Sequence, residues 1–177
     1  SNGVRYAISY NSGDGNDIAL IAVASPTFDG GILKIFGTEK DDLIVITQTS
    51  RQGFNGATVT VNGENFGEFE LIKEIQVMSL AGNDVIQLAN DVRIFMRING
   101  GEGVDTLDFS SVDFALTAYV GPGIKIPDEA STFMNIESIV GGRASDTFIL
   151  GTDAIQSGSL DGGGAVNNLD LSRIQNA

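Results

Sequence analysis

The chain has 177 residues, 42% of them apolar, with 23 glycines, 3 prolines and a formal net charge of −13. It contains no Cys, His or Trp, which excludes thiolate and histidine catalysis, Ser-His-Asp triads and the usual zinc sites. The acidic balance makes nucleic acid and anionic membranes poor partners and divalent cations good ones, and no apolar run reaches the roughly 20 residues of a membrane-spanning helix.

In chain order, Arg5 to Tyr10 and Ile18 to Ala24 flank a glycine-rich turn. Residues 1–25 are therefore expected to form an N-terminal hairpin or edge coil, with Ser25-Pro26 as a minor boundary. A recurring pattern then dominates: a Gly or Ser, four residues, an Asp or Asn, and a short apolar strand. It begins at Ser12, Gly37, Ser79, Gly100, Gly141 and Gly162, and ends at Asp17, Asp42, Asp84, Asp105, Asp146 and Asn167. Between these lie further strand signals at Ala57–Val61 before an Asn62-Gly63 turn, at Leu71–Val77 and at Val92–Ile98. Residues 120–130, with Gly121-Pro122-Gly123 and Pro127, are expected to protrude as a loop.

The spacing defines the architecture. The step from Asp84 to Asp105 is 21, as is that from Asp146 to Asn167, while Asp42 to Asp84 is 42 and Asp105 to Asp146 is 41. A period of 21 is too short for a βαβ unit of about 30 residues and suits one coil of a parallel β-helix. Two and four residues beyond each motif Asp or Asn, every residue is apolar: Ala19 and Ile21, Ile44 and Ile46, Ile86 and Leu88, Leu107 and Phe109, Phe148 and Leu150, Leu169 and Leu171. That is the period-two signature of a strand with one buried face. The expected fold is thus all-β, a single-stranded parallel β-helix (β-solenoid) over residues 1–177. Its coils have about 21 residues and its crossovers are right-handed by default. Both ends enter mid-repeat, so the chain reads as a segment of a longer protein whose uncapped ends favour end-to-end self-association.

Gly100-Gly101-Glu102-Gly103-Val104-Asp105-Thr106-Leu107-Asp108 resembles the nonapeptide of the repeat-in-toxin (hemolysin-type) calcium-binding proteins, and Gly13–Asp17 and Ala81–Asp84 resemble degenerate forms of it. The resemblance implies an extracellular parallel β-structure whose turn carboxylates and carbonyls bind calcium. One motif per coil departs from the back-to-back repeats of that family and is more similar to the β-solenoid regions of large bacterial adhesins.

Stacked carboxylates at one corner of adjacent coils repel unless capped or bridged, and calcium takes 6–8 oxygens. The candidate ligands are Asp14, Asp17, Asp42, Asp84, Asp105 and Asp146, with Glu102, Asp41 and Asn83 as secondary ones. The alternative is that each Asp accepts backbone N–H groups within its own turn, as the neutral Asn167 suggests. The expected function is a non-catalytic structural or adhesive module at the bacterial surface or outside the cell, with calcium and surface glycans or proteins as partners. The competing expectation is a polysaccharide-binding or polysaccharide-processing β-helix, for which Arg93 and Arg97 are the only tight basic pair on one strand.

Overall fold

The computed structural model describes residues 5–12, 17–23, 26–51, 54–89, 94–120, 124–125, 131–151 and 158–174. Among these the chain is all-β, without helix. The strands are β1 (Arg5–Ser12), β2 (Asp17–Val23), β3 (Thr27–Asp29), β4 (Ile32–Phe36), β5 (Leu43–Arg51), β6 (Phe54–Val61), β7 (Glu64–Glu70), β8 (Glu74–Met78) and β9 (Val85–Ala89). They continue as β10 (Phe95–Asn99), β11 (Thr106–Ser111), β12 (Thr117–Val120), β13 (Ile124–Lys125), β14 (Thr132–Met134), β15 (Ser138–Val140), β16 (Thr147–Leu150), β17 (Leu160–Asp161) and β18 (Asn168–Asp170).

β1 and β2 pair antiparallel as a separate two-stranded sheet, of which the backbone alone is described. The other strands build a nine-stranded sheet, in the order β18-β16-β12-β13-β14-β10-β8-β4-β3, and a seven-stranded sheet, β17-β15-β11-β9-β5-β6-β7. Along most of the chain successive strands alternate between the two sheets, and each lies parallel to its counterpart one layer earlier. Val85 pairs with Thr106, Thr147 with Asn168 and Ile139 with Leu160, each pair offset by one motif period.

The structure departs from a purely parallel β-helix at four places. β1/β2, β3/β4, β5/β6/β7 and β12/β13/β14 are antiparallel, so both large sheets are mixed. The double period from Asp42 to Asp84 therefore holds one layer plus the β6–β7 hairpin, not two layers. Asn62 (φ 51°) and Gly63 (φ 82°) make the turn of that hairpin, as the Asn-Gly pair predicts. Strand β7 went unforeseen because Glu64, Glu68 and Glu70 hide its period. Leu71, at φ 61°, ends the extended backbone, so the strand expected from Leu71 starts only at Glu74. Of the loop expected over residues 120–130, the described part, Ile124–Lys125, is strand β13.

The core lies between the two sheets, as registered apolar ladders. Ile44, Ile86, Leu107 and Ile139 align across β5, β9, β11 and β15. Ile35, Val77, Ile98 and Phe133 align across β4, β8, β10 and β14. All eight are buried. At about 25 cal/mol per Å² of apolar surface removed from water, each such side chain contributes on the order of 2 kcal/mol. Toward the C-terminal end Leu169 and Leu171 are 52% and 51% exposed, and among the described residues β18 is the last strand of its sheet.

Candidate functional site

The motif aspartates fall on two edges of the molecule, not in the single column expected. Asp42, Asp84 and Asp105 end the crossovers from the nine-stranded to the seven-stranded sheet (β4 to β5, β8 to β9, β10 to β11). Asp146 and Asn167 end the reverse crossovers (β15 to β16, β17 to β18). The switch arises because the 41 residues from Asp105 to Asp146 pass through β11, the β12–β13–β14 meander and β15, one and a half layers, so that Asp105 precedes a strand of the seven-stranded sheet and Asp146 one of the nine-stranded sheet.

On the first edge the carboxylates form a ladder between layers. The Asp42 N–H donates to Asp84 Oδ1 at 2.8 Å, the Asp84 N–H to Asp105 Oδ1 at 2.8 Å, and the Asp105 N–H to Glu137 Oε2 at 2.9 Å. The carbonyls of the same residues accept from the following layer: Asp42 O from the Val85 N–H and Asp84 O from the Thr106 N–H, both at 2.8 Å. A neighbouring ladder runs the opposite way. The Asn83 N–H donates to Asp41 Oδ1 at 2.7 Å and the Val104 N–H to Asn83 Oδ1 at 2.9 Å. The second edge repeats the first arrangement: the Leu116 N–H donates to Asp146 Oδ1 and the Asp146 N–H to Asn167 Oδ1, each at 2.8 Å.

The crossovers that end at these aspartates, at Glu137 and at Asn167 thus devote a side-chain oxygen to a backbone N–H outside the strand ladders. Such a group, left unpaired and buried, costs about 1–3 kcal/mol. Glu137 was missed in the sequence because its crossover lacks the glycines, yet it occupies the position just before a strand, as the aspartates do. Asn62 was read only as a turn residue. It caps the ladder: its Nδ2 donates to Asp42 Oδ1, and its Oδ1 accepts the Leu43 N–H at 2.8 Å.

The second carboxylate oxygen separates the aspartates into two kinds. Asp42 Oδ2 accepts the Thr38 N–H at 2.6 Å, and Asp146 Oδ2 accepts the Gly142 N–H at 2.7 Å, in each case from four residues earlier. The corresponding residues before Asp84 and Asp105 are Leu80 (φ 82°) and Gly101 (φ 105°). Their left-handed backbone takes the N–H groups off the carboxylates, and Asp84 Oδ2 and Asp105 Oδ2 are left buried without a hydrogen-bond partner.

Ser79 Oγ is a third such atom. A Cβ added at Gly37 or Gly141 would lie 2.7 Å from Oδ2 of Asp42 or Asp146. Ser79 stands at the equivalent position, five residues before Asp84. Burial, reinforced by the charges of Asp105, Asp42 and Asp41 and only partly offset by the Asp42 N–H, raises the Asp84 carboxyl to about 7. Burial also raises that of Asp105, with Glu137 adding to it.

Among the other candidates, Glu102 contributes backbone alone, donating to Leu80 O at 2.8 Å and accepting from the Gly82 N–H at 2.9 Å, with its side chain exposed. Asp14 lies outside the described residues, and of Asp17 only the backbone is described, opening β2. Among the described residues no group of three or more acidic side chains converges as a metal-holding cluster. Arg93 lies outside the described residues. Arg97 pairs with Glu74 at 2.9 Å and lies over the Phe95 ring at 5.2 Å. No protein-family profile, curated protein or solved structure matches the chain.

Proposed function

We propose that this chain is a non-catalytic structural or adhesive module of an extracellular bacterial protein, wound as a β-solenoid in which the antiparallel hairpins are insertions. The observation that carries the proposal is how the conspicuous acids are used. Asp41, Asp84, Asp105, Glu137 and Asp146 each accept a backbone N–H from a neighbouring layer. A general acid or base needs an accessible oxygen within reach of substrate, and Asp84 and Asp105 are 0% exposed. Repeated layers whose crossover N–H groups are paired make a stiff spacer, each layer contacting only its neighbours. Outside the cell such a rod would present its outer sheet faces to surface glycans or proteins. Turnover of uronate-containing polysaccharides by the purified chain, measured by the release of unsaturated or reducing ends, would overturn the non-catalytic assignment.

A second reading, calcium at the corners, is favoured by one specific observation: the buried unpartnered oxygens of Ser79 and Asp84 in one crossover and of Asp105 in the next. Calcium binds such oxygens, whereas without a cation the stacked carboxylates repel one another and each is offset by one backbone N–H alone. Thermal unfolding in excess EDTA and in millimolar calcium, with magnesium as control, separates the two readings. A calcium-selective rise in midpoint supports metal at the corners. Equal midpoints mean that the backbone ladders suffice.

A further inference from the structure

The outer face of the nine-stranded sheet carries one row unlike the rest of this acidic chain. The strand registers align Thr27, Lys34, Gln76, Arg97 and Thr132 across β3, β4, β8, β10 and β14. Their strand neighbours Leu33, Ile75, Ile98 and Phe133 are buried, so the row faces away from the core. It crosses five strands, about 19 Å at about 4.8 Å per spacing. Every member can donate a hydrogen bond. Lys34 and Arg97 are cationic and no member is acidic, in a chain of net charge −13.

The centre of the row is held in place. Glu74 Oε1 accepts from Gln76 Nε2 at 2.8 Å and from Arg97 Nε at 2.9 Å, and the guanidinium lies over the Phe95 ring at 5.2 Å. The Glu74 side chain is 18% exposed and that of Arg97 60%. An exposed ion pair adds little stability, but this one fixes the direction of the guanidinium. It uses Nε and leaves both Nη groups without a partner among the described residues, a planar fork of N–H donors turned to solvent. Lys34, two strands away, has no ion pair among the described residues. Alongside runs an apolar row of Phe36, Met78 and Met134, interrupted by Asn99, with Met134 50% exposed.

We propose that this face binds a linear polysaccharide of the uronic-acid class, laid across the strands from β3 to β14. Its carboxylates pair with Lys34 and with the Arg97 fork, which grips a carboxylate through two parallel N–H groups. Thr27, Gln76 and Thr132 take hydroxyls, and Phe36 and Met78 take the apolar faces of the sugar rings. β4, β8, β10 and β14 are paired on both sides, so they offer no backbone edge to a peptide strand. Recognition falls to side chains in single file, which suits a slender polymer. Two cations with an amide between them match carboxylates spaced along such a chain, and the acids elsewhere on the molecule repel anything broader and negative. The proposal deepens the adhesive reading above and rests on it.

Calorimetric titration of the full chain with polygalacturonate and with alginate, in EDTA, tests it, with methyl-esterified polygalacturonate and dextran as uncharged controls. EDTA removes any calcium bridge between acidic protein and acidic polymer. The wild type is expected to bind the two polyuronates, more weakly as salt rises, and neither control. Lys34→Gln and Arg97→Gln are each expected to weaken binding about tenfold. Lys40→Gln, which removes a cation from the crossover after β4, is expected to leave it unchanged. Far-UV circular dichroism checks that each variant keeps the β spectrum. A wild type that binds neither polyuronate, or that binds the methyl ester equally well, overturns the proposal and leaves the non-catalytic module intact. So do Lys34→Gln and Arg97→Gln variants that bind as the wild type does, which would place the contact elsewhere. Release of unsaturated or reducing ends from the bound polymer would overturn the non-catalytic assignment alone.

Discussion

Replacing Asp84 with Asn tests the electrostatic account of the crossovers most directly. The amide keeps an oxygen for the Asp42 N–H, which Asp84 Oδ1 accepts at 2.8 Å, and it removes the buried charge. Asp84 titrates at about 7 in the fold against an ordinary value of 3.8. The folded chain therefore holds this proton more tightly than the unfolded one. The contribution of the group to stability is full below about pH 4 and is lost as pH rises through about 7.

A shift of roughly three pH units corresponds to about 4 kcal/mol above the folded value, of which the smaller part is already lost at pH 5. Asp84→Asn carries no such loss, so its stability relative to wild type should improve by about 3 kcal/mol between pH 5 and pH 8. For a chain of this size that is roughly 8 °C in Tm. Urea and thermal unfolding of both proteins at the two pH values, in EDTA, measure it. A difference between variant and wild type that is the same at pH 5 and pH 8 would refute the reasoning, because it would mean that Asp84 ionises in the fold at no cost.

Other substitutions probe the ladders and the core. Glu137→Ala removes the acceptor of the Asp105 N–H and should cost about 1–2 kcal/mol in urea unfolding, while Glu137→Gln, which keeps an oxygen there, should cost less. Ile86→Ala opens a cavity at a fully buried ladder position and is expected to cost about 2–5 kcal/mol by the same assay. Two glycines with positive φ should separate backbone strain from collision. Gly63→Ala meets nothing within 4 Å and should cost about 1 kcal/mol. A Cβ at Gly101 would run into Leu80 O, so Gly101→Ala should lower Tm several-fold more.

The period of 21, the alternation of apolar residues after each motif Asp, and the Asn62-Gly63 turn are local regularities. They were legible because residue spacing along a strand dictates which side chains share a face. From them the all-β class, the layer length and the apolar rows through Ile44, Ile86 and Leu107 follow. Strand β7 and the β12–β13–β14 meander were not legible, since Glu-rich and Gly/Pro-broken segments carry no clear period. The split of the aspartates between two edges was not legible either, because the 41 residues from Asp105 to Asp146 hold one and a half layers where their spacing suggests two.

The fate of each carboxylate was also beyond the sequence. Whether an Asp faces a metal, water or a backbone N–H depends on which amide the neighbouring layer brings within about 2.8 Å, a relation between residues far apart along the chain. The same holds for the difference between Asp42, whose two oxygens both find N–H donors, and Asp84, whose Oδ2 finds none. The motif is one, but the sign of φ four residues earlier differs. The sequence by itself determined where strands and corners fall. The tertiary structure alone decided which layers meet, because hydrogen bonding and burial are set by contacts between distant parts of the chain.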